Sequence, residues 1–170
     1  MTDKEHNIFW YAARTRYGQE IPVRDRLSSL GFDCFIPTTR AKNYRGKTRE
    51  KPVINNLVFL RASKQEACDL KVYQGLPLNY MYDSVSHSML VVPDKQMDDF
   101  MRVFDQSIKE GGLVNESLAI GEKVRVTDGP LKGVEGHVVE LLGEYYVSVG
   151  LCGLVCARAK VARAWLEKIN

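Results

Sequence analysis

The sequence predicts an α+β protein in two parts: a sheet-and-helix sandwich over residues 1–110, then a small all-β barrel over residues 120–170. Three observations predict it. Strand and helix patterns alternate as far as Gly112, the order expected of a sheet with helices packed on it. The stretch GGLVNESLAIG has no periodicity, so residues 111–119 are expected to form a linker. Beyond it come only short alternating runs: KVRVT, GHVVEL, YYVSVGL, LVCAR and the tail.

The aromatic run Ile8–Arg14 reads as a first strand. Val23, Leu27 and Leu30 then fall at helical spacing, with Pro22 in the first turn and Gly31 at the stop. Phe32–Arg40 alternates as a second strand, and Val53–Ala62 is apolar enough for a central one. Between them, Arg40–Lys51 should be a long hairpin tip. It holds six of the chain's 24 cations and one acid, Glu50, hence net +5. Ser63 followed by Glu66 is a capping-box signature opening a second helix. Two short strands follow, in LPLNYMYD and HSMLVV. Met97, Phe100, Met101, Phe104 and Ile108 then make the apolar stripe of an amphipathic helix ended by Gly111 and Gly112. Asp98 and Asp99 fall on its charged face and are expected to be solvated.

The bulk numbers exclude several classes. The chain has 170 residues, 45% hydrophobic and 26% charged, which suits a soluble globular protein. No apolar run approaches the ~20 residues that span a bilayer, and the start, MTDKEHNIF, is too polar for a signal peptide. A cytoplasmic protein without membrane partners is expected. Net charge is only +3. Cys34, Cys68, Cys152 and Cys156 lack metal-ligand spacing, as do His6, His87 and His137. They read as reduced, mostly buried thiols, with no metal and no cofactor implied. No nucleophile–base pair or phosphate loop is visible, so an enzyme is not expected.

Gly129, Gly133 and Gly136 interrupt GEKVRVTDGPLKGVEGHVVELL, a segment that otherwise makes good strands. Val124 and Val126 share one face of KVRVT, D-G-P signals a turn, and Gly143-Glu144 suits a two-residue type II′ hairpin. A barrel of ~50 residues must curl tightly, and glycines supply its corners. This segment resembles a KOW motif. At the other end, WYAARTRYGQE resembles the opening of the NusG N-terminal (NGN) domain: Trp-Tyr on a strand, then Gly-x-Glu entering a helix. VINNLVFL and VVPDKQMDDFM stand where that family has a further strand and its last helix. The chain therefore resembles the NusG family over nearly its whole length, as NGN domain, linker and KOW domain. Asn55-Asn56-Leu57 in place of proline-glycine-tyrosine, and the phrase LKGVEGHVVEL, resemble the specialised UpxY and RfaH paralogues.

The resemblance implies a transcription elongation and antitermination factor that reads through long operons, with capsular polysaccharide operons the UpxY case. It implies contact with the β′ clamp helices of RNA polymerase through a solvent-facing apolar depression, here Ile54, Leu57, Phe59 and Tyr82. Leu57 and Phe59 share a strand face; Ile54 lies opposite unless Asn55-Asn56 forms a bulge. The family's β gate-loop contact falls near Lys64–Asp69, where Cys68, Asp69 and Leu70 replace a histidine-threonine-threonine. The non-template DNA strand is the implied nucleic-acid partner. Arg14, Arg16, Tyr17 and Arg24 occupy the region that reads it in RfaH-like proteins. The cations Arg40, Lys42, Arg45, Lys47 and Arg49, with Tyr44, suit phosphate attraction and stacking. The ordinary alternative for these residues is a solvated surface. The KOW domain of the family meets a small ribosomal-subunit protein or Rho, and its neutral charge here names neither. A housekeeping NusG and a ribosome-associated KOW RNA-binding protein are the competing functions. VINNL counts against the first and the complete N-terminal domain against the second. On this reading Leu57→Asp abolishes polymerase binding in a pull-down and leaves the fold intact.

Overall fold

The computed structural model describes residues 7–110, the backbone of 113–115, and residues 121–170. The chain divides into two compact units, Met1–Pro93 and Asp94–Asn170.

The first unit contains β1 (Ile8–Arg14), α1 (Glu20–Ser29), β2 (Asp33–Phe35), β3 (Thr38–Lys42), β4 (Thr48–Pro52), β5 (Leu57–Ser63), α2 (Lys64–Val72), β6 (Asn79–Tyr80) and β7 (Val91–Val92). Its main sheet has the order β2-β5-β1-β6, with β7 also paired to β1; β3 and β4 form a separate ribbon. β1 and β5 are antiparallel from Ile8↔Ser63 to Arg14↔Leu57. Strand alternation therefore puts Tyr11, Ala13, Val58, Leu60 and Ala62 on one face, where they form a core with Val23 and Leu27 of α1 and Ala67 and Leu70 of α2. Tyr80 closes it: its ring meets Tyr11 edge-on at 6.3 Å, and its hydroxyl donates to the Ala67 carbonyl at 2.6 Å. Burial raises the Tyr80 pKa. The Ser63–Glu66 capping box is present in both directions.

Two strands differ from expectation. The run Phe32–Arg40 is broken at Ile36-Pro37, where proline offers no N–H to a ladder. β2 then pairs with β5, whereas β3 pairs with β4. The expected strand Val53–Ala62 begins only at Leu57, because Asn56 takes a left-handed turn conformation at φ 64°. Ile54 thus precedes the strand, and no shared face with Leu57 is required of it.

The second unit contains α3 (Asp94–Glu110), β8 (Leu113–Asn115), β9 (Lys123–Val126), β10 (Glu135–Leu141), β11 (Glu144–Leu151), β12 (Val155–Lys160), a short 3-10 turn at Arg163–Trp165, and β13 (Leu166–Lys168). The strands form one sheet of order β13-β9-β10-β11-β12-β8, antiparallel throughout. β8 lies inside the stretch read as linker. Gly111, Gly112 and residues 116–120 lie outside the described residues.

α3 is joined to this sheet by side chains that reach main-chain atoms. Gln96 donates to the Gly150 carbonyl at 2.7 Å, Arg102 to Pro130 and Lys132 carbonyls at 3.1 and 2.8 Å, and Ser107 to the Arg158 carbonyl. Asp99 corrects its expected solvation. It is buried, and its carboxylate accepts from Lys95 at 2.6 Å and from the Glu135 N–H at 3.1 Å. The buried stripe is Met97, Phe100, Val103 and Phe104, with Ser107 in place of the exposed Ile108. The β10–β11 turn is Leu142-Gly143, not Gly143-Glu144. Both residues have positive φ, 52° and 79°, so it is a type I′ turn.

The glycines play two different parts. Gly129 and Gly133 have φ of 80° and 89° and are turn residues, as expected. Gly136 is needed for closeness: a Cβ there would stand 2.5 Å from the Ser148 carbonyl oxygen. Gly136→Ala should cost the second unit about 1–3 kcal/mol through forced separation of β10 and β11, seen as faster amide hydrogen exchange in those strands with the first unit unchanged.

Candidate nucleic-acid interface

The β3–β4 ribbon carries the densest charge in the chain. Its turn is built by Asn43, whose side-chain oxygen accepts from the Arg45 and Lys47 N–H groups, both at 3.0 Å. Gly46 supplies the positive φ of 75° that completes it. The turn lifts Tyr44 into solvent, 89% exposed, with the Arg45 guanidinium 5.2 Å from its ring centre. Arg40, Lys42, Arg45, Lys47, Arg49 and Lys51 are all exposed, and none makes an ion pair among the described residues.

The one acid of the ribbon is engaged. Arg24 of α1 grips Glu50 through both guanidinium nitrogens, Nη1 to Oε1 and Nη2 to Oε2, the latter at 2.9 Å. Thr38 donates to Oε1 at 2.8 Å. These bonds, Arg24 first, hold the Glu50 pKa down to about 2. Arg24 was expected to reach nucleic acid directly; its planar fork is instead filled by Glu50, with Asp25 on its other edge at 3.1 Å. Arg14, also expected there, points a long 3.5 Å bond at the Asn55 carbonyl.

Arg16 and Tyr17 are exposed at the β1–α1 corner. Arg16 lines a polar hollow of about 460 Å³ together with Gln19, Lys71, Asn79 and the Gly75–Leu78 segment. The hollow holds two cations and two amides and no carboxylate. Gln19, Lys71 and Asn79 were not singled out from the sequence, because they come from three elements that only folding brings together. The corner is braced by a buried Glu20, whose carboxylate accepts the Asn56 N–H at 2.9 Å, while Asn56 accepts from the Thr15 N–H at 3.0 Å. That gives Gly-x-Glu and Asn56 a physical meaning. The acid fixes a left-handed residue, and asparagine tolerates that conformation better than most side chains.

The apolar residues expected to face solvent do not. Leu57 and Phe59 are 0% exposed and Ile54 is buried; Tyr82 alone is open, at 66%. Leu57 and Phe59 share the face of Ala12 and Trp10, opposite the α1–α2 core, and all four are buried. Alternation places residues on a face correctly but does not say whether that face is covered. Leu57→Asp is accordingly a folding mutation, since it would place a carboxylate in an apolar interior. Cys68 and Cys152 are exposed and Cys34 half-buried, so of the four cysteines only Cys156 is buried as expected.

In the second unit, Val124 and Val126 are buried on one face of β9. Trp165 lies over Gly129, where a Cβ would meet its ring at 2.5 Å, and its carbonyl accepts from the Thr127 N–H at 2.7 Å. Among the described residues no group of His, Cys, Asp and Glu could hold a metal ion, and no helix is long and apolar enough to cross a membrane.

A helix-backed antiparallel sheet, a basic ribbon and a following all-antiparallel unit define a mixed α/β protein with an electropositive outwork. Residues 9–101, more than half of the chain, match the family described as transcription termination factor NusG. The chain belongs to the NusG family, one of transcription factors and not of enzymes. A solved structure on domain interaction in Thermotoga maritima NusG is similar at a TM-score of 0.50 and 19% identity, covering 96% of this chain and 98% of that one. Two conformations of an MjSpt4:Spt5 complex align at TM-scores of 0.28 and 0.26, with 11% and 13% identity; each alignment covers 95% of this chain and 98% and 97% of those chains. Comparison with curated proteins gives no match.

The depressed Glu50 pKa sets a pH dependence. A carboxyl lowered by its folded-state partners contributes stability above its unfolded value near 4.5, and that contribution disappears as pH falls through about 2. The ribbon should stay tied to α1 at pH 4 and come free toward pH 2, as read by NMR titration of the Glu50 carboxyl carbon.

Proposed function

We propose that this protein is a transcription elongation and antitermination factor of the specialised UpxY/RfaH type, acting on long operons such as those for capsular polysaccharide. In this reading residues 1–110 are an NGN domain, 111–119 a linker and 120–170 a KOW barrel. Membership of the NusG family supports the class, and Asn55-Asn56 in place of proline-glycine supports the subtype. The observation that carries the nucleic-acid half is the β3–β4 ribbon, whose six cations are exposed and make no ion pair among the described residues, beside an exposed tyrosine. Phosphate neutralisation needs free cations, and stacking needs an open ring. Arg40, Lys42, Arg45, Lys47 and Arg49 meet the backbone of the non-template strand. Arg16 and Tyr17 meet its bases, and Arg14 supports the corner between them. Arg24 serves by holding Glu50.

RNA polymerase is the protein partner. Tyr82 is its accessible contact, with Ile54, Leu57 and Phe59 available to the β′ clamp helices only when their face is uncovered. Val124, Val126, Gly129, Gly133 and Gly136 shape the KOW barrel, through which a ribosomal protein or Rho would be met. α3 is counted with the NGN domain by chain order, although Gln96, Asp99, Arg102 and Ser107 bond the C-terminal sheet.

Two measurements test this. Tyr82→Ala should weaken polymerase capture about tenfold without loss of fold, as an aromatic anchor does; undiminished capture would remove Tyr82 from the interface. Arg45→Gln, Lys47→Gln and Arg49→Gln together should lower the slope of log K against log salt for single-stranded DNA by about 2. Sequencing of nascent transcripts with and without the protein decides between one responsive gene cluster and a genome-wide response.

A further inference from the structure

A ribbon that offers six cations to phosphate carries one acid in its second strand. In the β3–β4 register Glu50 stands opposite Arg40, where pairing would cancel a charge. The structure uses it otherwise. Both Glu50 oxygens are held by the guanidinium of Arg24 on α1, Thr38 adds a third bond, and Asp25 braces the far edge of Arg24 at 3.1–3.2 Å. Arg40 makes no ion pair among the described residues. β3 and β4 pair with each other and with no third strand among the described residues. A lone two-stranded ribbon has little hold on its own direction. At its base, the Val53 N–H donates to the Pro37 carbonyl at 2.8 Å, which joins the two ends of the ribbon but fixes no angle against the helix.

We propose that the Arg24–Glu50 pair is a latch that aims the ribbon, so that Glu50 is a positioning residue for nucleic-acid binding in spite of its own repulsive charge. The inference rests on the ribbon being the nucleic-acid contact. A bidentate arginine–carboxylate pair defines an orientation as well as an attraction, and an arginine so used needs no phosphate of its own. The latch also explains how one acid can sit in a phosphate-binding segment: its charge is satisfied from α1, outside the ribbon.

The proposal fixes a sign that charge counting reverses. Glu50→Gln raises the segment from net +5 to net +6 (six cations, no acid). Counting charges, the variant binds single-stranded DNA more tightly. With the latch it binds about two- to fivefold more weakly, the span of a surface ion pair. The exchange Arg24→Glu with Glu50→Arg keeps net charge and should restore most of the affinity. The experiment uses the full chain with Cys68 and Cys152 replaced by serine, spin labels on α1 and at the ribbon turn, and a fluorescent single-stranded oligodeoxynucleotide of mixed sequence. Glu50→Gln should broaden the α1-to-turn distance distribution, and the exchange should narrow it again. An unchanged distribution, or binding as tight as the parent or tighter, overturns the latch. The underlying reading fails differently: the Arg45, Lys47 and Arg49 triple variant would then bind the oligonucleotide like the parent. That result removes the ribbon from nucleic acid, and the binding role of Glu50 with it, whatever the distances show.

Discussion

The β1–β5 pairing is the constraint on which the first unit rests. It runs without interruption from Ile8↔Ser63 to Arg14↔Leu57, and its open end is held by Asn56, which takes an N–H from Thr15 and gives one to Glu20. A slip of one residue would turn every side chain of β5 over. Val58 and Leu60 would leave the helices and the side of Tyr11 and Ala13, and Leu57 and Phe59 would replace them. The left-handed Asn56 stops such a slip, because the chain must turn there and nowhere else. Burying Glu20 is the cost of that stop, offset by its hydrogen bond and by its place in the first turn of α1, where a negative charge is favoured.

Charge is handled oppositely in the two units. In the first, the ribbon's cations make no ion pair among the described residues and its acid is drawn away to a helix. In the second, Arg125 pairs with Glu135, Lys160 with Glu144 and Lys168 with Glu122. A cation already matched by an acid has less to offer phosphate. The difference between these cations lies in who neighbours whom, not in composition.

Legibility followed the range of the interactions. β1, the capping box, the basic hairpin and α3 were all readable, since each depends on neighbours a few residues away. What failed depended on distant partners. Pro37 split a strand because β2 and β3 pair with different elements. Asp99 looked solvated because Glu135, 36 residues on, supplies its buried bond. Trp165 passed unnoticed, although Gly129 owes part of its necessity to that ring. Leu57 and Phe59 do share a face, but that face is buried and not exposed. The Leu142-Gly143 turn was misplaced by one residue, because leucine gives no hint that it will accept a positive φ. Of the candidate interface, the ribbon was visible as a charge run, while the hollow beside Arg16 was not, being assembled from the residues before α1, from α2 and from the segment leading into β6.

Ser63 closes β5 and caps α2 in the same stroke: it pairs with Ile8 and also accepts the Glu66 N–H. No spacer separates strand from helix, so there is no joint at which α2 could swing independently. Any tug felt at the far end of that helix must travel straight into the central strand. The corner behaves as a bracket rather than a hinge, and whatever grips α2 from outside takes hold of the sheet itself.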